Sequence, residues 1–420
     1  MKDAFLKKTQ NKTLKISIIG LGYVGFPLLE LFHKKGFNVN GFDLDKKKVD
    51  IATKKRGYNA SNKPTNALKN CDCFIICVPT PVDKNHKPDL SFVKDACKSI
   101  IKNLRKNNLV ILESTVSPGT TEEVLIPTLE KSGLKAGKDF FVAHCPERID
   151  PGNKKWKVQN IPRVIGGINQ TSTELTYKLY NRILDAEITK LSSLKNAEAT
   201  KIVENTFRDI NIAFVNELAK SFDKIGIDIK EVINAASTKP FGFMAHYPGC
   251  GVGGHCIAVD PYYLIEKAKK IGFNHNFLKL ARKINNSMPT YTVGKIIKGL
   301  KQVNIPLKNS NISILGLAYK GGTDDTRESP AFPIIEKLKD LKAKITIYDP
   351  YVPSQSTSKN LEEALDKKDC VVIVTDHKEF KEITAEKLKG KNVKVLIDGR
   401  NILNKKEIKD KGIIYEGIGR

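Results

Sequence analysis

A short apolar run that breaks into a glycine turn and then a helical pattern occurs near both ends of this chain. The first copy is KISIIGLGYVG at 15–25 and the second is NISILGLAYKGG at 311–322. A second β-rich run closing on an aspartate follows each, FNVNGFDLD at 37–45 and KITIYDPYV within 344–352. Strand, tight turn and helix in that order build a parallel sheet covered by helices. Further strand candidates are 73–80, 108–115 and 139–146 in the first half, and 369–377 and 393–401 in the second. Between the copies, 191–226 has no proline, no glycine before its end and a serine at its start, which predicts one long helix. The expected fold is therefore α/β: two Rossmann-like, doubly wound parallel-sheet domains joined by a long central helix. The expected division is 1–190 (with 1–13 a short basic extension), a helical middle at 191–300, and 301–420.

Composition narrows the function classes. The chain has 420 residues and a formal net charge of +25, which invites a nucleic-acid reading. Only ten of the 71 basic residues are arginine, and the lysines are spread along the whole length. Base and phosphate recognition by a planar fork favours arginine. A solvated lysine-rich surface, or an anionic small-molecule substrate, accounts for the charge, and no nucleic-acid partner is expected. No apolar run approaches a membrane span, and the basic N-terminus has no apolar segment behind it, so neither membrane nor secretory signal is expected. The eight cysteines, at 71, 73, 77, 97, 145, 250, 256 and 370, show no CxxC pairing and no metal-finger spacing. A reduced, cytoplasmic chain without a metal site is expected.

Four motifs carry possible chemistry. Gly20-x-Gly22-x-x-Gly25 follows a strand and opens a helix, and Asp43 ends the next strand. The glycines permit the turn and let backbone approach a pyrophosphate at the helix N-terminus. Asp43 would accept from ribose hydroxyls and repel a 2′-phosphate, which points to NAD rather than NADP. VPTP at 78–81 and STVSPGTT at 114–121 lie at strand ends, where ligands sit in open sheets; they equally well end strands and cap helices. Lys201 and Asn205 stand one turn apart and share a helix face, either solvated or able to stabilise an oxyanion. In GVGGHCIAVDPYYL, 251–264, Cys256 and Asp260 read as a thiol with an acid–base partner, or as a buried inert cysteine. His255 next to the thiol reads as a structural histidine.

Together these motifs resemble the nucleotide-sugar 6-dehydrogenases, which oxidise a UDP-hexose twice to a UDP-hexuronic acid. The resemblance runs from about residue 14 to 410 and rests on GLGYVG, VPTP, STVSPGTT, PERIDPGN (146–153), the 197–217 helix, GVGGHCIAVDPYYL and LAYKGGTDDTRESPA (317–331). It implies an NAD-binding first domain, a UDP-sugar-binding last domain and a dimer or higher homo-oligomer, with the long helix as the pairing surface. It implies Cys256 as nucleophile, Lys201 and Asn205 around the reacting oxygen, Asp260 supporting proton transfer, and Thr115 and Glu147 around the hydrolytic water. It implies cofactor contacts from Gly20, Gly22, Tyr23, Val24, Gly25, Asp43, Pro79, Thr80, Thr115 and Arg327. For the substrate it implies Glu147, Arg148, Lys201, Asn205, Tyr247, Gly251, Gly253, Gly254, Lys320 and Arg400.

PERIDPGN, STKPFGFM, GHCIAVDPYYL and INNSMP (284–289) look more like the N-acetylhexosamine branch than the plain UDP-glucose enzymes, and most like UDP-N-acetylglucosamine 6-dehydrogenases. Arg148 is a candidate donor to the acetamido group. UDP-N-acetylmannosamine and UDP-glucose are the competing substrates. A non-catalytic nucleotide sensor would need no thiol at 256. Cys250, where relatives commonly have proline, has no role in the resemblance.

Overall fold

The computed structural model describes residues 2–83, 85–149, 153 and 155–420. Asp150–Gly152 of the PERIDPGN motif therefore lie outside the described residues. The chain divides into two compact units, Met1–Glu204 with Tyr262–Asn274, and Asn205–Pro261 with His275–Arg420. The dividing point falls inside the helix Leu194–Ile225, whose 32 residues match the run expected from the sequence.

The first unit is an eight-stranded sheet in the order β3-β2-β1-β4-β5-β6-β7-β8. Its strands are β1 (Lys15–Ile19), β2 (Asn38–Phe42), β3 (Ala60–Ser61), β4 (Cys73–Ile76), β5 (Leu109–Leu112), β6 (Phe141–His144), β7 (Arg163–Gly167) and β8 (Ile188–Leu191). Every described residue of β4 and β5 is buried, as strands covered on both faces require. One face is covered by Leu28, Leu29 and Phe32 with Leu175, Leu179 and Tyr180. The other is covered by Val93, Cys97 and Ile100 with Leu125 and Leu129. Cys71, Cys73, Cys77, Cys97 and Cys145 are buried apolar fillers of these layers.

Two features depart from the sequence reading. The basic N-terminus is no loose extension: Lys2–Gln10 is a helix that buries Phe5 and Thr9. Its Lys8 reaches Asp72 at 2.7 Å. Phe5 supplies the apolar anchor, on the order of 2 kcal/mol for a buried phenyl ring, that holds a lysine-rich segment in place. The second departure is β7, which pairs antiparallel to β6, so the sheet is not uniformly parallel.

The second unit carries a five-stranded, all-parallel sheet in the order β10-β9-β11-β12-β13. Its strands are β9 (Asn311–Leu315), β10 (Lys344–Tyr348), β11 (Cys370–Ile373), β12 (Val395–Asp398) and β13 (Ile414–Gly417). The helix Asn276–Gln302 packs Val293, Ile296 and Leu300 onto Ile312, Ile314 and Ile397. It lies close because Gly299 has no side chain; a Cβ there would stand 2.6 Å from Val395.

In both sheets the strand order reverses beside the first strand of the set, between β1 and β4 and between β9 and β11. Loops at the carboxyl ends of these strand pairs form the crevice where ligands bind in open sheets.

Candidate active site

In the first unit the crevice is built by the glycine turn after β1. Gly20 adopts φ +94°, and a Cβ on it would meet the Cys77 carbonyl oxygen at 2.7 Å. A Cβ on Gly25 would lie 1.8 Å from the Gly20 carbonyl oxygen, so the turn closes only with glycine there. Gly22 has nothing within 4 Å of its missing Cβ. Its bareness serves no contact inside the protein and leaves the backbone open to a ligand, at the start of the helix Gly25–Lys34. Asp43 accepts from the Leu21 amide inside this turn and from the Asp45 amide, both at 2.8 Å. A carboxylate has about four lone-pair sites, so ribose hydroxyls still have acceptors. These residues fit a dinucleotide. Tyr23 is half exposed beside them, and Val24 is the N-cap residue of the helix.

A Gly25→Ala substitution is expected to cost about 1–3 kcal/mol, because the obstructing atom is backbone. Thermal melts with and without NAD test it. Unchanged melting and an unchanged NAD-dependent shift would contradict the packing argument.

Across the crevice, Thr80 follows Pro79 after β4, and its hydroxyl donates to the Thr115 carbonyl at 2.7 Å. The Ser114 hydroxyl donates to the Val78 carbonyl at 2.7 Å. The Tyr263 hydroxyl donates to the Thr80 carbonyl. VPTP and STVSPGTT thus brace one another instead of merely ending strands. Glu198, buried on the long helix, accepts from the Gly119 and Thr121 amides and the Thr121 hydroxyl. Burial raises its carboxyl to about 7 against these three hydrogen bonds.

Glu147 is buried. One of its oxygens takes the amides of Arg148 and Ile149, and the other faces Arg163 at 2.5 Å. Arg163 is fully buried and also meets Glu113 at 3.3 Å, while the Tyr180 hydroxyl donates to Glu113. Burial pushes the Glu113 carboxyl up to about 7, with the Arg163 guanidinium pulling the other way. Sequence reasoning missed Arg163 and Glu113. The available signal was a charged residue bordering an apolar strand run, which a buried ion pair alone explains. Arg148, the candidate acetamido donor, has its guanidinium engaged by Glu204, at 2.5 and 3.2 Å, and by the Pro162 carbonyl at 2.9 Å. Lys201 is 9% exposed, so the solvated-face reading of this position fails.

In the second unit the segment around Cys256 is held at both ends. The Gly254 amide donates to the Arg327 carbonyl at 2.9 Å, and the Asp260 amide donates to the Cys256 carbonyl at 2.8 Å. Asp260 opens the helix Asp260–Lys270, and its carboxylate accepts from the Asn205 carboxamide at 2.5 Å. His255 Nδ1 lies 3.3 Å from Cys256 Sγ. The glycines are required by the protein itself. Gly251 and Gly254 have φ +145° and +81°, and Cβ atoms on Gly253 and Gly254 would stand 2.6–2.8 Å from Tyr319. This packing brings the 251–254 backbone against the 317–331 loop, which carries Lys320 and Arg327. Arg327 is held bidentately by Asp325. Arg400 lies over Gly249, where a Cβ would stand 2.8 Å from its Nη1, and its Nη2 is 3.5 Å from Asp376. Tyr247 is half exposed, and its hydroxyl donates to Asn234 at 2.8 Å.

Cys250 now has an account. It is fully buried among Val293, Ile296 and Ile312, against Gly399, and burial pushes its thiol up to about 11. It is an apolar filler. Cys256 is the one cysteine that is not buried.

The second sheet repeats the aspartate after its second strand but uses it differently. Asp349 is fully buried and accepts from the Leu317 and Ala318 amides, with His377 Nε2 at 3.1 Å. It pins its own glycine turn, whereas Asp43 keeps capacity for a ligand. Among the described residues no cluster of three or more metal-ligating side chains occurs, and no helix is long and apolar enough to cross a membrane.

A glycine turn that fits a dinucleotide in the first unit and a second Rossmann-like sheet in the second are the architecture of a nucleotide-linked α/β dehydrogenase. Three domain profiles of one family match in order: the NAD-binding domain over 14–56 and 51–184, the central domain over 195–287, and the UDP-binding domain over 313–405. The chain belongs to the UDP-glucose/GDP-mannose dehydrogenase family. It is 38% identical to UDP-N-acetyl-D-mannosamine dehydrogenase of Pyrococcus horikoshii, over 97% of this chain and 99% of the relative. It is also 38% identical to UDP-N-acetyl-D-glucosamine 6-dehydrogenase of Pseudomonas aeruginosa, over 94% and 98%. The solved structure of the Pyrococcus horikoshii enzyme superposes with a TM-score of 0.90 at 37% identity, covering 97% of this chain and 99% of that one.

Proposed function

We propose that the chain oxidises C6 of a UDP-N-acetylhexosamine through two hydride transfers to the UDP-uronic acid. The observation that carries this reading is Cys256, accessible while the other seven cysteines are buried, on the backbone turn that leads into the Asp260–Asn205 pair. Bound NAD supplies the hydride acceptor at each oxidation. In this reading Asp260 accepts the proton as the C6 hydroxyl becomes an aldehyde. Cys256 Sγ then adds to the aldehyde carbon, because only a tetrahedral adduct presents a second hydride to remove. Lys201 and Asn205 stabilise the oxyanion at both stages. Water, placed by Thr115 and Glu147, cleaves the resulting thioester. The regions 1–190, 191–300 and 301–420 would then serve cofactor, catalysis and uridine nucleotide respectively. Val203, Phe207 and Phe214, exposed on the long helix, support a homodimer.

Within the class, PERIDPGN, STKPFGFM and GHCIAVDPYYL favour the gluco epimer, UDP-N-acetylglucosamine. The Pyrococcus horikoshii relative favours the manno epimer. NADH release with UDP-N-acetylglucosamine, UDP-N-acetylmannosamine and UDP-glucose tests both readings. The expected result is two NADH per acetamido sugar, with kcat/KM for the gluco epimer at least tenfold above the others. A faster manno epimer replaces the epimer assignment, and a faster UDP-glucose overturns the acetamido class.

A further inference from the structure

We propose that His255 is a catalytic residue, the proton acceptor and donor for the Cys256 thiol. The inference rests on the reading of Cys256 as nucleophile and concerns a residue to which that reading gives no task. Three observations place it. His255 Nδ1 is 3.3 Å from Cys256 Sγ, within reach of a shared proton. The backbone on either side is clamped, at Gly254 by the Arg327 carbonyl and at Cys256 by the amides of Val259 and Asp260, so the two side chains are held in register. A carboxylate, Asp325, lies near enough to His255 for the two charges to interact. Burial pushes its carboxyl up, but Arg327, and more weakly His255, hold it below the usual carboxylate range. Charged groups near the pair include Asp325 and Arg327 on the 317–331 loop and, four residues on along its own segment, Asp260. An anion close to an imidazole favours the imidazolium, the form that stabilises a thiolate.

The steps balance as follows. The Sγ proton moves to His255 Nδ1 as the Sγ–C6 bond forms, and the π pair of the aldehyde goes to its oxygen. Loss of hydride from C6, for which NAD would be the acceptor, restores the carbonyl as a thioester. Water then adds at C6, giving one of its two protons to solvent as its oxygen bonds to carbon, and the C6–Sγ bond breaks, with its electron pair returning to sulfur. The imidazolium returns its proton to Sγ, and the carboxylic acid releases its own to solvent.

The test compares wild type with His255→Asn, which keeps a hydrogen-bond donor near the Nδ1 position but cannot titrate. The rate of Cys256 carboxamidomethylation is followed by peptide mass spectrometry from pH 5 to 9.5. Wild type is expected to show a thiolate titrating below about 7.5, and the variant one near the ordinary value of about 8.5. Labelling at pH 6.5 should fall about tenfold in step. Superimposable profiles would overturn the proposal.

A second measurement supplies the UDP-sugar 6-aldehyde. Its oxidation with NAD should slow by about 10²-fold in the variant. Its reduction by NADH, which needs no thiol, should stay within about twofold. An equal loss in both directions means that His255 only shapes the loop, and the proposal fails. If wild type turns over no UDP-sugar, the proposed function fails, while the alkylation profile still decides whether His255 controls the thiol.

Discussion

Cys256→Ser protein is expected to fold, to bind NAD and UDP-sugar, and to lose uronate formation by on the order of 10³-fold or more, as when a covalent catalyst loses its nucleophile. The physical reason is the acidity of the attacking group. A thiol is partly ionised near neutral pH, and its anion adds readily to an aldehyde, whereas a serine hydroxyl without a dedicated base does neither. The first oxidation does not require sulfur, so a single NADH per enzyme, or slow release of aldehyde, is the expected residue of activity. Product analysis by mass spectrometry together with NADH stoichiometry reads this directly. Uronate made at near the wild-type rate would remove the thioester from the scheme. Cys250→Ala is the matched control. It lies six residues away, but its buried sulfur sits against Gly399 in the core that also holds Ile296, so it should cost about 1–2 kcal/mol of stability and leave uronate formation intact.

That contrast between two thiols marks where the sequence was legible and where it was not. Both Rossmann-like sheets, the long helix and the Gly20–Gly25 turn follow from patterns within a few residues, because apolar period and glycine placement are local properties. The cost of the 251–254 glycines was also visible, but not its main cause. Tyr319 presses on them from almost seventy residues away, and spacing along the chain says nothing of that contact. Cys250 looked like a departure from the pattern and proved to be core. The docked Lys2–Gln10 helix escaped because its lysines outweigh one phenylalanine in any composition argument. The β6–β7 reversal escaped because an antiparallel pair inside a parallel sheet depends on the path of the connection and not on the strands. Arg163 and Glu113 escaped for the same reason. Each is an unremarkable charge until the fold places both in one dry space with Glu147.

Arg163→Met should therefore have the largest effect on stability of any single change considered. The substitution keeps the volume and removes the cation that offsets two carboxylates, both with their charged ends buried. Breaking a buried pair from one side leaves uncompensated charge and costs about 3–5 kcal/mol. The sign of the pH dependence follows. Burial already raises the Glu113 carboxyl to about 7, above its unfolded range near 4.3. A group raised in the folded state stabilises when protonated, and that contribution is lost as pH rises through the folded value. Without Arg163 the value rises further, so the variant should lose more stability at pH 8 than at pH 6, measured by thermal melting against wild type. Adding Glu113→Gln to Arg163→Met removes one of the two stranded charges and should recover part of the loss at pH 8. Glu147 loses its counter-ion in both variants. If Glu147 orders the hydrolytic water, thioester cleavage should slow while the first NADH still appears at the normal rate. Equal melting of Arg163→Met and wild type at pH 8 would mean that the cluster does not hold Glu147 in place, and that its position comes from the Arg148 and Ile149 amides alone.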